Sequence, residues 1–255
     1  MSPSVVETSD TGAVRVVRFN RPEARNAFNA ALYHAVTEAI LDAAEAPGVH
    51  VVVLTGTGAA FSAGQDLKEM AAIVTGEAPP EAARGFQGLL EAVQRFEKPL
   101  VAAVNGVGVG LGFTLLAHCD LVLMADDARL RVPFAELGVP PEAASSYLFP
   151  VTMGWQRAAH LLFTGAWLEA QEAVDAGVAL ARFPADSLMD EAMAVASSIA
   201  ARPPDAVRAI KRLLLASRQP AVAAARAREE AAFAQLLGST ANLAALDRFG
   251  GRPPS

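Results

Sequence analysis

The chain's 255 residues, 53% of them hydrophobic, suffice for one sizeable core, built as one domain or as a domain with an appendage. A formal net charge of −6 argues against nucleic acid as a partner, although a local basic rim can attract an anionic ligand against the overall sign. The single cysteine, Cys119, leaves no internal disulfide and fits a reducing compartment. MSPSVVETSD is too polar and acidic for a secretory leader, and no run free of glycine and charge approaches membrane-spanning length. Arg-Pro-Pro-Ser at the end is not a peroxisomal address, so the expected setting is cytoplasmic and away from membranes.

Val5–Glu7 and Val14–Phe19 flank Asp10-Thr11-Gly12, a hairpin signal. Asn29 caps an alanine-rich helix to about Ala46, and Pro47-Gly48 stops it ahead of a strand at Val51–Thr55. Asp66 is placed to cap a helix running to Thr75, and Thr75–Pro80 reads as a loop. Ala82–Phe96 is an amphipathic helix with Phe86, Leu89, Leu90, Val93 and Phe96 on one side. Leu100–Val104 and Leu121–Met124 read as buried strands around a buried helix at Phe113–Cys119, and Leu130–Val132 adds a short strand. From Ser187 onward the pattern is helical only, over about 187–201, 205–217, 220–237 and 240–249, punctuated by Pro203-Pro204 and Gly238. The fold class is therefore α/β, with a core over 1–186 and an all-helical tail over 187–255.

The centre of the chain is Lys98–Ala125, KPLVAAVNGVGVGLGFTLLAHCDLVLMA, with glycine at 106, 108, 110 and 112. Glycine at alternate positions lets backbone approach something that side chains would hold away. The helix that follows presents unpaired N–H groups suited to negative charge. Dinucleotide pyrophosphate does not fit, because Leu111 and Phe113 stand where a G-x-G-x-x-G fingerprint needs its last glycine, and no Lys follows for a phosphate loop. An enolate oxygen held by two backbone N–H donors remains, and Phe61-Ser62-Ala63-Gly64-Gln65-Asp66-Leu67 is a second small turn able to supply one donor.

FSAGQDL and AAVNGVGVGLG resemble the two oxyanion-hole segments of the crotonase superfamily, which contains enoyl-CoA hydratases and isomerases. The resemblance extends to Asn20-Arg21-Pro22 with Asn26-Ala27, Cys119-Asp120, Thr164-Gly165, Ala173 and Gly177-Val178, covering most of Val14 to Pro184. It implies a spiral of repeated β-β-α units and a helical tail that packs on a neighbouring subunit in trimers or hexamers. It also implies an acyl-coenzyme A thioester as substrate, with no separate cofactor. By position it puts the oxyanion donors at the N–H of Ala63 and of Leu111, and coenzyme contacts at Arg25, Ala27, Gln65, Asp66, Leu67, Gly110 and Phe134. Lys211 or Arg248 of the tail is a further candidate for positive charge at that rim.

The hydratases resembled here carry two Glu that hold and activate water, and their places fall on Thr114 and Phe134. Neither side chain is a base at neutral pH, which disfavours hydration by two carboxylates. Glu142, in PFAELGVPPEAASSYLFP, matches the lone Glu of the superfamily's Δ3,Δ2-enoyl-CoA isomerases, and one acid suffices for a 1,3-proton shift. Phe134, Tyr147, Leu148 and Phe149 are expected to desolvate it, whereas Glu136 is expected in a structural ion pair or in water. Met70, Ile73, Val74, Leu111 and Phe113 are candidates for the acyl slot. Cys119 is expected to be inert, and His34, His50, His118 and His160 lack ligand spacing, so no metal is expected. The expected activity is an enoyl-CoA isomerase; alternatives are a hydratase, another acyl-CoA lyase or hydrolase, or a non-catalytic acyl-CoA-binding member.

Overall fold

Two sheets are built from alternate strands of the chain. The computed structural model describes residues 4–78 and 80–250; position 79 of the expected Thr75–Pro80 loop and the Arg-Pro-Pro-Ser terminus lie outside the described residues. A hairpin of β1 (Val6–Thr11) and β2 (Val14–Phe19) opens the fold, turning at Gly12 with φ 58°. Helix α1 (Ala30–Glu45) begins at Asn29, whose side chain accepts from the amide of Leu32 at 3.0 Å. It lays Leu32, Tyr33, Val36, Ile40 and Ala43 into the core.

The next units each give one strand to each sheet. β3 (Val51–Gly56) and β4 (Ala60–Ser62) precede α2 (Leu67–Thr75) and α3 (Pro80–Arg95); β5 (Leu100–Val104) and β6 (Val107–Val109) precede α4 (Leu111–Thr114) and a 3-10 turn. β7 (Leu121–Ala125) and β8 (Arg129–Arg131) precede α5 (Ser145–Met153) and α6 (Trp155–Thr164). β9 (Leu168–Glu169), α7 (Ala170–Asp175) and β10 (Ala181–Phe183) close the spiral. The large sheet runs β1-β2-β3-β5-β7-β10 and the small one β4-β6-β8-β9. Parallel central strands covered on both faces must be apolar throughout, and all six positions of β3 are buried. The expected β-β-α spiral is what forms.

The helical tail consists of α8 (Leu188–Ala200), α9 (Pro204–Leu236) and α10 (Thr240–Gly250). The sequence divides 205–217 from 220–237, but these form one helix with Pro220 inside it. Proline removes one donor and strains one turn; here the flanking turns are anchored to the core, by Lys211 on one side and Glu229 on the other, and the helix continues. The tail folds back over its own core: α9 packs on α5 and α10 on α2. Buried Lys211 reaches Asp120 at 2.6 Å, so it is an anchor and does not join a coenzyme rim.

Candidate active site

The alternating glycines bring two backbone segments together. A Cβ on Gly112 would lie 2.3 Å from the carbonyl oxygen of Ser62, and one on Gly64, at φ 84°, would lie 2.4 Å from that of Val109 and 3.3 Å from the amide of Leu111. What the glycine loop approaches so closely is therefore the FSAGQDL turn itself.

Amide accounting within that turn corrects one expectation. The N–H of Ala63 donates to the carbonyl of Arg25 at 2.8 Å and is not available to a substrate. Gly64 donates to the Ser62 hydroxyl at 3.1 Å and Asp66 to the Phe28 carbonyl at 2.9 Å. The amide between them, Gln65, has no protein acceptor among the described residues, and Leu111, as first residue of α4, has none either. The parallel bridge between Phe28 and Gln65 explains the pattern, since Phe28 donates to the carbonyl of Gly64 and accepts from the amide of Asp66, which leaves the amide of Gln65 facing away.

Glu142 lies just before α5. The helix begins at Ser145 because Ala143 and Ala144 are both left-handed, at φ 57° and 59°. Each such non-glycine residue costs about 1–3 kcal/mol and persists only where surrounding contacts hold it. Ser145 donates its amide and hydroxyl to the carbonyl of Glu142 at 2.9 and 2.6 Å. Burial pushes His118 down to about 4, so its neutral ring donates to the carbonyl of Ala143 at 2.8 Å.

A cavity of about 280 Å³ holds Glu142 and Gln65 together, walled by Met70, Ile73, Phe86, Phe233 and Leu237. Burial is the main cause that raises the Glu142 carboxyl to about 8; the Thr114 hydroxyl, 3.3 Å from Oε1, opposes it, and the negative Glu229 adds to it. Tyr33 donates its phenol to Gln65 Oε1 at 2.6 Å, and burial together with Glu142 and Glu69 holds that phenol protonated.

Of the expected acyl wall, Met70 and Ile73 line the cavity, while Leu111 and Phe113 are core residues and Val74 sits against Gly238. Phe134 is also in the core and is not among the residues that line the cavity. Phe149 stacks on Phe113 at 4.6 Å, and Leu148 packs with Val222 and Ala225 of the tail; the shell comes from α2, α3 and α9 instead. Nothing in the sequence signalled the share of α9, because its apolar positions there fall within a highly charged stretch.

Glu136 is bound to Arg131, whose guanidinium, like that of Arg129, lies over the Trp167 ring, and is no competitor for Glu142. Arg25 is half-buried in a left-handed turn, Ala27 is buried, Asp66 caps α2 and pairs with Arg21 at 3.3 Å, Leu67 opens α2, and Gly110 at φ 53° opens α4. Cys119 is buried and pushed up to about 12, which makes it unreactive. Among the described residues no three of His, Cys, Asp and Glu gather where an ion could sit, and no helix is long and apolar enough to cross a membrane.

Two sheets wound by repeated β-β-α units and closed by a helical tail define a crotonase-type fold, and its cavity places a single raised-pKa carboxyl beside an open loop amide. The family model described as enoyl-CoA hydratase/isomerase matches residues 9–249, and the chain belongs to that family of enzymes. It is 36% identical over 214 residues to human enoyl-CoA delta isomerase 2, covering 83% of this chain and 54% of that protein, so it spans about half that relative's length. It is 34% identical over 227 residues to 2,3-dehydroadipyl-CoA hydratase of Escherichia coli K12, covering 88% of this chain and 86% of the other. The solved enoyl-CoA hydratase/isomerase of Pseudoalteromonas atlantica T6c superposes with a TM-score of 0.89 at 34% identity, covering 98% and 99% of the two chains.

Proposed function

We propose that this enzyme is an enoyl-CoA isomerase that moves the double bond of a 3-enoyl-CoA to the 2-trans position. Glu142, as carboxylate, takes a proton from C2. The electron pair passes through the double bond to the thioester oxygen, which accepts hydrogen bonds from the amides of Gln65 and Leu111. The protonated Glu142 then returns that proton to C4, leaving the conjugated thioester. Each amide contributes about 3–4 kcal/mol of preferential stabilisation to the dienolate, by analogy with other oxyanion donors. Arg25 and the backbone of 65–67 face the coenzyme in this reading, with Gly110 beside the thioester.

The observation that carries the reading is the state of the acids around the cavity. Glu142 is raised to about 8, whereas Glu229 is engaged by three donors and Glu230 by Arg226. Hydration needs a second carboxylate to share the water, and its places are Thr114 and Phe134. The hydratase reading is supported by the similarity to 2,3-dehydroadipyl-CoA hydratase at nearly the same identity as the isomerase. Incubation with 3-hexenoyl-CoA and with 2-hexenoyl-CoA separates the two: conjugated thioester absorbance rises with the first for an isomerase and falls with the second for a hydratase. No change with either marks a binding protein. Assembly into a homotrimer or hexamer is supported by exposed Trp155 and Phe163 on α6 and by Ile210, Leu213 and Leu214 on α9, and light scattering measures it.

A further inference from the structure

One acid of the tail reaches the turn beside the base. Glu229, on α9, is buried and shares the cavity with Glu142. Its Oε2 accepts from the amide of Ala144 at 2.7 Å; its Oε1 accepts from the amide of Ser146 at 2.9 Å and from the Ser146 hydroxyl. These donors enclose the left-handed pair Ala143 and Ala144, through which the chain leaves Glu142. Side chains disfavour that backbone region, so the pair persists because it is held. His118 holds it from the core side through the Ala143 carbonyl. Both oxygens of Glu229 are therefore committed to the turn as acceptors.

We propose that Glu229 is a positioning residue for the proton transfer at Glu142: from the tail helix it clamps the strained turn at 143–144 that aims the Glu142 carboxyl into the cavity. The inference rests on Glu142 being the base. Because α9 also supplies Phe233 to the cavity wall, and Leu237 just past its end adds to it, docking of the tail and assembly of the reactive geometry are one event. The charged and titratable groups around Glu142 are Tyr33 from α1, Glu69 from α2, His118 after α4, and Arg226, Glu229 and Glu230 from α9. Arg226 and Glu230 pair with each other, His118 is neutral, Tyr33 is protonated and Glu69 accepts from the amide of Ala30; of these acids Glu229 is the one whose charge raises Glu142.

The test is Glu229→Gln, which keeps the shape but retains a single acceptor oxygen, so Ala144 or Ser146 loses its partner. The expected result is a fall in kcat of about 10²-fold, as for small misplacements of a reacting group, with KM within about threefold. The acid limb of kcat/KM moves to lower pH, because a negative charge that disfavours the Glu142 carboxylate is gone. Amide exchange at Ala144 and Ser146 becomes about tenfold faster or more. Ser146→Ala removes only the hydroxyl contact and costs less than about threefold in kcat. A folded Glu229→Gln with wild-type kcat, pH profile and exchange overturns the proposal, and so does a loss of activity that merely follows a lowered melting temperature with an unmoved acid limb. If the wild-type protein fails to isomerise 3-hexenoyl-CoA, the functional reading falls, and the exchange at Ala144 and Ser146 still decides whether Glu229 holds the turn.

Discussion

Thr114 donates its hydroxyl to Glu142 Oε1 across 3.3 Å. At that length the bond is weak, since O–H···O bonds centre on about 2.7–2.8 Å. It lowers the pKa of Glu142, but burial acts the other way and prevails, leaving the carboxyl at about 8. Thr114→Val, of similar volume, therefore moves the acid limb of the pH–rate profile upward and reduces kcat/KM at pH 7 by about two- to fivefold. An unmoved limb would show that the hydroxyl does not reach the base.

Glu142→Gln keeps the side chain's shape and removes its basicity. Isomerisation falls by about 10²–10⁴-fold, the usual contribution of a positioned base, while circular dichroism stays unchanged. Residual activity within tenfold of wild type would assign the proton transfer to another group.

The pH dependence has two opposite faces. Because the carboxylate is the active form, kcat/KM of the free enzyme rises with pH until about 8 and then levels. Stability runs the other way. The folded state holds the Glu142 proton to about 8, whereas the unfolded chain releases it near 4.5, so between those values the native state binds more protons and loses stability as pH rises. Each unit of separation is worth about 1.4 kcal/mol. Denaturant melts at pH 5 and pH 8 check this, and Glu142→Gln flattens the slope.

Gly64→Ala addresses the contact between the two loops. The new methyl would meet the Val109 carbonyl at 2.4 Å on a residue at φ 84°. The chain must give in both conformation and position, at a cost of about 2 kcal/mol or more, and the amides of Gln65 and Leu111 move with it. Thermal melting and kcat should fall together.

Lys211→Met tests the anchor of the tail. It leaves Asp120 with the amide of Leu100 at 2.7 Å and partial access to water. The loss is about 2–3 kcal/mol, below that of a fully enclosed ion pair. Unfolding midpoints in urea measure it.

Local signals determined much of this protein. Asn29 and Asp66 cap α1 and α2 because a short polar side chain satisfies first-turn amides wherever it stands, and the apolar runs at Val51–Thr55 and Leu100–Val104 became central strands because only a doubly covered sheet accepts them. Glu142 was legible through the match to the isomerases' lone Glu, with Glu136 six residues earlier as the other acid of the segment, and it lines the cavity. Tertiary structure decided what depends on pairings distant in the chain. The bridge to Phe28 made Gln65, in place of Ala63, the open amide of its turn. Anchoring of both halves of α9 carried a helix through Pro220, and the folding back of that helix set Glu229 on the turn after Glu142. Capping and burial patterns are read within a few residues, but which amide is left over, and which acid meets which turn, is settled only when remote backbone arrives to claim the other partners.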